Sequence, residues 1–294
     1  MKGCVVSFSV EEANVSLDWG DLAYRDYQPV ASKSVEQTIV FLHGWLDNSA
    51  SFDSVITELM QLQPNTRYIA VDLPGHGWSD HKLLGQSYGF HEYLDDISQL
   101  LSKLSANRCL IVGHSLGALL ASCYSAAFPE LVVGLVQIEG FMPMAESAEN
   151  HPQRIRNAIV SRQRIRQKSL KSMASFEVAL AKRTRANQLA YELITPIVQR
   201  GTVEREGRCF WRHDRRLLAE SIYRMSPEHA QAIVENIYCP WTLILGSQGY
   251  QTLKSQWMSY LANDQVVTID GGHHCHLEQP KQVAHIISGL VNKI

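Results

Sequence analysis

The chain has 294 residues, 45% of them hydrophobic and 19% charged, enough to bury a substantial core in one large or two moderate domains. The formal net charge of −2 carries no whole-molecule signature for nucleic acid. No run approaches the ~18 apolar residues of a membrane span, and the first residues lack the apolar centre of a signal peptide.

Taken in chain order, the N-terminal stretch VVSFSV…VSLDWGDLAYRDY alternates around Asp18-Trp19-Gly20, which predicts an antiparallel strand pair at a sheet edge. Apolar, β-branched runs follow at Thr38–Leu42, Arg67–Val71, Cys109–Val112, Leu131–Ile138, Trp241–Leu245 and Gln265–Ile269. Helical patterns lie between them, at Ser51–Gln61, His91–Leu104, Ala118–Ala127, Leu253–Leu261 and Gln282–Val291. This alternation predicts an α/β fold whose parallel sheet is covered by helices on both faces. The β rhythm stops after Gly140 and returns near residue 230. We therefore expect a core from 1–140 and 230–294, with a mostly helical cap at 141–229 over the carboxyl ends of the strands, where open α/β sheets bind ligands.

The charge is unevenly spread. The cap holds 17 Lys+Arg and 9 Asp+Glu, leaving 10 and 20 of the chain's 27 and 29 for the core. Residues 154–171 include Arg154, Arg156, Arg162, Arg164, Arg166, Lys168 and Lys171 without an acid. A solvated helical face balanced by the acidic core accounts for this run. The alternative is steering of an anionic substrate. No aromatic residues interleave with the charges and no clear apolar face opposes them, so neither nucleic acid nor membrane is an expected partner. Six cysteines, at 4, 109, 123, 209, 239 and 275, form no C-x-x-C pair. That usage fits a reducing compartment, and a cytoplasmic protein is expected.

One short stretch concentrates the chemistry. Gly113-His114-Ser115-Leu116-Gly117 follows a buried strand pattern and opens a helix pattern. Glycine on both flanks permits a strand–turn–helix reversal too tight for side chains, with Ser115 exposed at its tip beside a helix N-terminus. A serine there needs a base, and the base needs an orienting acid. After the last strand comes Asp270-Gly271-Gly272-His273-His274-Cys275-His276. His273 is the expected base, with His274 its direct rival and His276 third. The histidine run also invites a metal reading. No acidic or cysteine set is visibly arranged around it, so neither metal nor cofactor is expected.

Gly113–Gly117, His43-Gly44-Trp45, Asp72-Leu73-Pro74-Gly75-His76-Gly77-Trp78-Ser79 and Gly272-His273…Leu277-Glu278-Gln279-Pro280 stand in the order of the α/β-hydrolase fold family. The chain resembles that family over nearly its whole length. It looks most like the serine hydrolase-like proteins, through HGWLDNSASFD, QRGTVEREGRCFWRHDRRL and ILGSQGY. The resemblance implies the α/β-hydrolase fold: a mostly parallel, twisted central sheet with a helical cap inserted after the sixth strand. It also implies a serine hydrolase that cleaves a small ester, thioester or related acyl bond through an acyl-enzyme. A non-catalytic ligand binder or sensor on the same scaffold is the alternative, and a monomer or homodimer is expected.

The motif implies an oxyanion hole from the backbone N–H groups of Leu116 and Trp45. His43, Asp72 and His76 read better as loop and turn braces. The family's usual acid position, residues 246–252, carries no carboxylate. Asp264 belongs to the approach to the last strand. Glu139, at the carboxyl end of the sixth strand, is the alternative acid. His114, Phe141, Met142 and Met144 are expected to line the substrate pocket beneath the cap.

Overall fold

The computed structural model describes residues 7–30, 35–106, 108–250, 253 and 265–294. An eight-stranded sheet runs through the molecule in the order β1-β2-β4-β3-β5-β6-β9-β10. Its antiparallel edge is β1 (Phe8–Leu17) and β2 (Gly20–Pro29), joined at Asp18-Trp19. The strands β3 (Gln37–Leu42), β4 (Thr66–Val71), β5 (Cys109–His114), β6 (Val132–Ile138), β9 (Trp241–Gly246) and β10 (Val266–Ile269) are parallel. Each falls within two residues of an expected run. The expected helix Leu253–Leu261 and Asp264 lie outside the described residues, apart from Leu253.

Side chains alternate across the pleat and build two apolar layers. Ile39, Phe41, Leu110, Val112, Ile138 and Ile244 face α1 (Asp53–Leu62) and the C-terminal helix α8 (Pro280–Val291). Val40, Leu42, Ile69, Ile111 and Leu135 face α2 (Glu92–Lys103) and α3 (Leu116–Ala127). A sheet buried on both faces needs runs of apolar residues, which is why these strands are continuous rather than alternating in sequence.

Between β6 and β9 lie α4 (His151–Gln167), α5 (Phe176–Asn187), α6 (Tyr191–Gly201), a hairpin of β7 (Thr202–Arg205) and β8 (Arg208–Trp211), and α7 (Pro227–Glu235). Met173, Leu180, Ile194, Ile197, Val198 and Cys209 form a small apolar cluster within this segment. The segment is tied to the loops after β3 and β4. Asn48 donates to the Ile197 carbonyl, the Trp45 indole to that of Leu217, and the Asp214 N–H to that of Gly75. The deepest tie is Arg200 of α6, whose Nε reaches both oxygens of Asp72 at 3.0 and 2.8 Å and whose Nη1 reaches Glu12 at 2.8 Å. Its guanidinium also stacks over Trp78, 4.4 Å from the ring centroid. Among the described residues, no helix is long and apolar enough to cross a membrane.

Candidate active site

Ser115 sits between β5 and α3 with φ 49° and ψ −115°, a strained conformation for a residue with a side chain. Packing enforces it. A Cβ at Gly117 would strike the Leu42 carbonyl, and one at Gly113 would strike the backbone of Gly117. The Ser115 N–H donates to the Ile138 carbonyl at 2.9 Å, and its own carbonyl accepts from Ala118 and Leu119 as the helix starts. Leu116 is the first residue of α3, so its N–H has no intrahelical acceptor. The N–H of Trp45, on the turn after β3, likewise takes no backbone acceptor among the described residues.

Glu139 follows β6 with φ 51° and is 2% exposed. Its carboxylate accepts three hydrogen bonds: from the Gly246 N–H at 2.7 Å, the Tyr250 N–H at 3.1 Å and His273 Nδ1 at 3.3 Å. A carboxylate is acceptor-only, so Nδ1 carries the ring proton and Nε2 keeps its lone pair. The loop at 246–250 offers no carboxylate of its own and instead holds that of Glu139 through two backbone N–H groups. A Cβ at Gly249 would overlap the Glu139 carboxylate. Tyr250 packs on the imidazole, with ring centroids 4.3 Å apart. The neighbouring Gly140 lies against the Ser115 backbone, where an added Cβ would come within 2.8 Å of the Ser115 carbonyl.

His274 has a different acid. It is buried, and its Nε2 lies 3.1 Å from Asp47 Oδ2 and 3.0 Å from the Asn187 amide nitrogen. The second oxygen of Asp47 pairs with Arg183 of α5. Burial alone would raise the Asp47 carboxyl, but His274 and Arg183 outweigh it and hold the group ionised well below its usual range. His276 is fully buried, and both its ring nitrogens lack partners among the described residues. Burial and the neighbouring His274 lower its pKa to about 3.

Several expectations need correction. His114 does not line a pocket. It is 1% exposed, and its Nε2 donates to the His273 carbonyl at 2.9 Å. It is a positioning residue for the loop that carries the imidazole. Burial and the surrounding histidines push its pKa far down, so it is neutral. Phe141 and Met142 turn inward to pack with Ala230 of α7 and Leu243 and Leu245 of β9, because these elements offer the apolar side chains a dry face. Met144 is half exposed, as is Trp45. His43 and Asp72 are buried braces. His43 Nε2 accepts from the Leu73 N–H, while Asp72 accepts from the N–H groups of Ser49 and Trp78.

Sequence reasoning missed Asp47, Gly249 and Tyr250. Only Gly249 left a signal, as a glycine beside an acid position that holds no acid. A cavity of about 720 Å³ lies at the amino ends of the strands, lined by Glu36, Arg108, Pro129, Tyr238 and Lys293. It is at the opposite end of the sheet from Ser115.

Comparison with known proteins bears on this geometry. The model of the alpha/beta hydrolase family matches residues 39–286. A serine hydrolase-like protein of Danio rerio is 27% identical over 300 residues, covering 96% of this chain and 89% of that protein. The crystal structure of a hypothetical protein from Pseudomonas aeruginosa PAO1 superposes with a TM-score of 0.88 at 30% identity, covering 96% of this chain and all of that one. A thioesterase domain from the curacin biosynthetic pathway superposes with a TM-score of 0.78 at 23% identity, over 95% of this chain and 99% of that one.

Proposed function

The chain belongs to the alpha/beta hydrolase family, and from that premise we propose that it cleaves a small ester or thioester through an acyl-enzyme. The observation that carries the reading is the Glu139–His273 pair at the carboxyl ends of the strands, beside a serine held in elbow geometry. In this reading Ser115 Oγ attacks the acyl carbon and gives its proton to His273 Nε2. The N–H groups of Trp45 and Leu116 receive the oxyanion, each worth about 3–4 kcal/mol at the transition state. Glu139 stabilises the imidazolium through Nδ1–H. Collapse expels the alcohol or thiol, which takes the proton from Nε2. Water then attacks the acyl-serine, returning its proton by the same route, and the acid leaves.

Trp45 and Met144 offer exposed apolar surface for the acyl group. The basic run of α4, with Arg156, Arg162, Arg164 and Arg166, favours approach of an anionic substrate. A fluorophosphonate probe tests the proposal. The wild type should be labelled at Ser115 and should hydrolyse p-nitrophenyl esters, while Ser115→Ala should do neither. An unlabelled wild type would instead mark a ligand binder on this scaffold.

A further inference from the structure

Asp47, His114 and His274 come from the loop after β3, the end of β5 and the loop after β10, and all three are buried. One ligand atom from each lies within 4.8 Å of the other two. The tautomer of His114 gives this cluster its meaning. Its Nε2 faces the His273 carbonyl, which can only accept, so Nε2 holds the proton. Its Nδ1 therefore presents a lone pair, fully buried and without a partner among the described residues. That lone pair faces Asp47 Oδ2 at 3.7 Å. Two acceptors facing each other out of water is an unfavourable arrangement unless a cation lies between them.

The dimensions suit such a cation. Asp47 Oδ2 is 3.1 Å from His274 Nε2 and 3.7 Å from His114 Nδ1. Bonds of ~2.0–2.1 Å at a tetrahedral zinc ion separate neighbouring ligand atoms by about 3.4 Å. The outer contacts also fit. A metal-bound histidine characteristically donates its other ring N–H to a carbonyl or carboxylate, as His114 does to His273, and a ligating carboxylate is itself hydrogen-bonded. Arg183 occupies the other oxygen of Asp47, so Oδ2 is the oxygen that faces the two histidines. Gly44 keeps the space open, since a Cβ there would come 2.7 Å from His114 Nδ1.

We propose that Asp47 Oδ2, His114 Nδ1 and His274 Nε2 bind one divalent transition-metal ion of the zinc class, at a site separate from Ser115, His273 and Glu139. The two-nitrogen, one-oxygen donor set matches that class. His274 then carries its ring proton on Nδ1, and the fourth position is open to water. The ion ties together the loops after β3 and β10 and the end of β5. The charge of Arg183 tempers its affinity.

Untagged protein freed of metal by chelation would be dialysed against Zn2+ and, separately, titrated with Co2+. Wild type and His273→Ala should each retain about one equivalent of Zn2+. With Co2+ both should show the intense visible bands of a tetrahedral site, without the near-ultraviolet band of a thiolate ligand. Asp47→Asn and His274→Ala, checked for fold by circular dichroism, should lose both signals. The proposal is overturned if wild type binds no stoichiometric metal. It is equally overturned if binding disappears in His273→Ala but survives in His274→Ala, which would place the ion at the proposed triad. Should the Asp47 and His274 variants fail to fold, the Co2+ bands of wild type and His273→Ala decide: present in both they support the site, and absent from either they overturn it.

Discussion

Glu139 and His273 are 134 residues apart in sequence and 3.3 Å apart in space, carboxylate to Nδ1. The same carboxylate is fixed by two backbone N–H groups, so it reaches the imidazole already oriented. Glu139→Gln keeps the size of the side chain but can turn an amide donor toward Nδ1, favouring the tautomer that cannot accept the serine proton. We expect kcat for ester hydrolysis to fall by about 10²–10⁴-fold with the fold intact. Full activity in this variant would remove Glu139 from the mechanism.

Gly249→Ala tests the same relationship without touching a charged group. Its methyl would overlap the Glu139 carboxylate and shift it from His273. A displacement of about 1 Å at a catalytic group costs up to ~10²-fold. We expect a fall in kcat of about 10–100-fold with KM nearly unchanged. Steady-state kinetics on a p-nitrophenyl ester reads this directly, and an unaltered kcat would count against the role of the carboxylate.

Asp72 and Arg200 are both nearly inaccessible to water and joined by two short contacts. Removing Asp72 leaves the buried guanidinium with only the partly exposed Glu12 opposite it, a loss approaching that of a broken buried pair, about 3–5 kcal/mol. Asp72→Ala should therefore lower the denaturant midpoint sharply. The double variant Asp72→Leu/Arg200→Met should recover part of that loss, since no lone charge remains. If the double variant is as unstable as the sum of the singles, the pair does not couple.

Acid should weaken the fold from near neutrality downward. Burial lowers the pKa of His43 to about 4, and burial together with His43 lowers that of His76 to about 3. The unfolded chain takes up these protons near pH ~6.5. Each neutral histidine thus favours folding above that pH, and the benefit is lost as pH falls toward the folded value, at up to ~1.4 kcal/mol per pH unit per residue. Denaturation midpoints between pH 7.5 and 5 should fall less steeply for His76→Gln than for wild type. Identical slopes would exclude His76 from the acid response.

The strands were legible because a sheet buried on both faces requires unbroken apolar runs, and turns interrupt them. Ser115 was legible because its strained backbone demands two glycines at fixed positions. The contact of Glu139 with His273 was legible from chemistry: a histidine proposed as a base needs a carboxylate, and the usual loop held none. Orientation was not legible. His114 stands next to Ser115, and only the packed structure shows its ring turned into the core. Phe141 follows Glu139 closely, yet it packs against Leu243 and Leu245 of β9. The β7–β8 hairpin lay hidden in a stretch read as mostly helical, although Val203, Cys209, Phe210 and Trp211 favour strands and Glu206-Gly207 takes the positive φ values of its turn. The Asp47–His274 contact spans 227 residues and has no local signal. For that reason the histidine run looked as though it lacked a carboxylate.

The bond of Arg200 to Asp72 and Glu12 also bears on how a substrate of the proposed reaction would enter. A flap that opens with each turnover must break its attachments cheaply, and this one is fastened by charges that cannot be parted in a dry interior without a large penalty. The Trp45 indole, bonded to the Leu217 carbonyl, adds a second fastening from the loop after β3. Under the proposed reaction this segment would act as a fixed frame rather than a swinging lid, and a substrate would pass by side-chain rotation without an opening stroke of the whole segment.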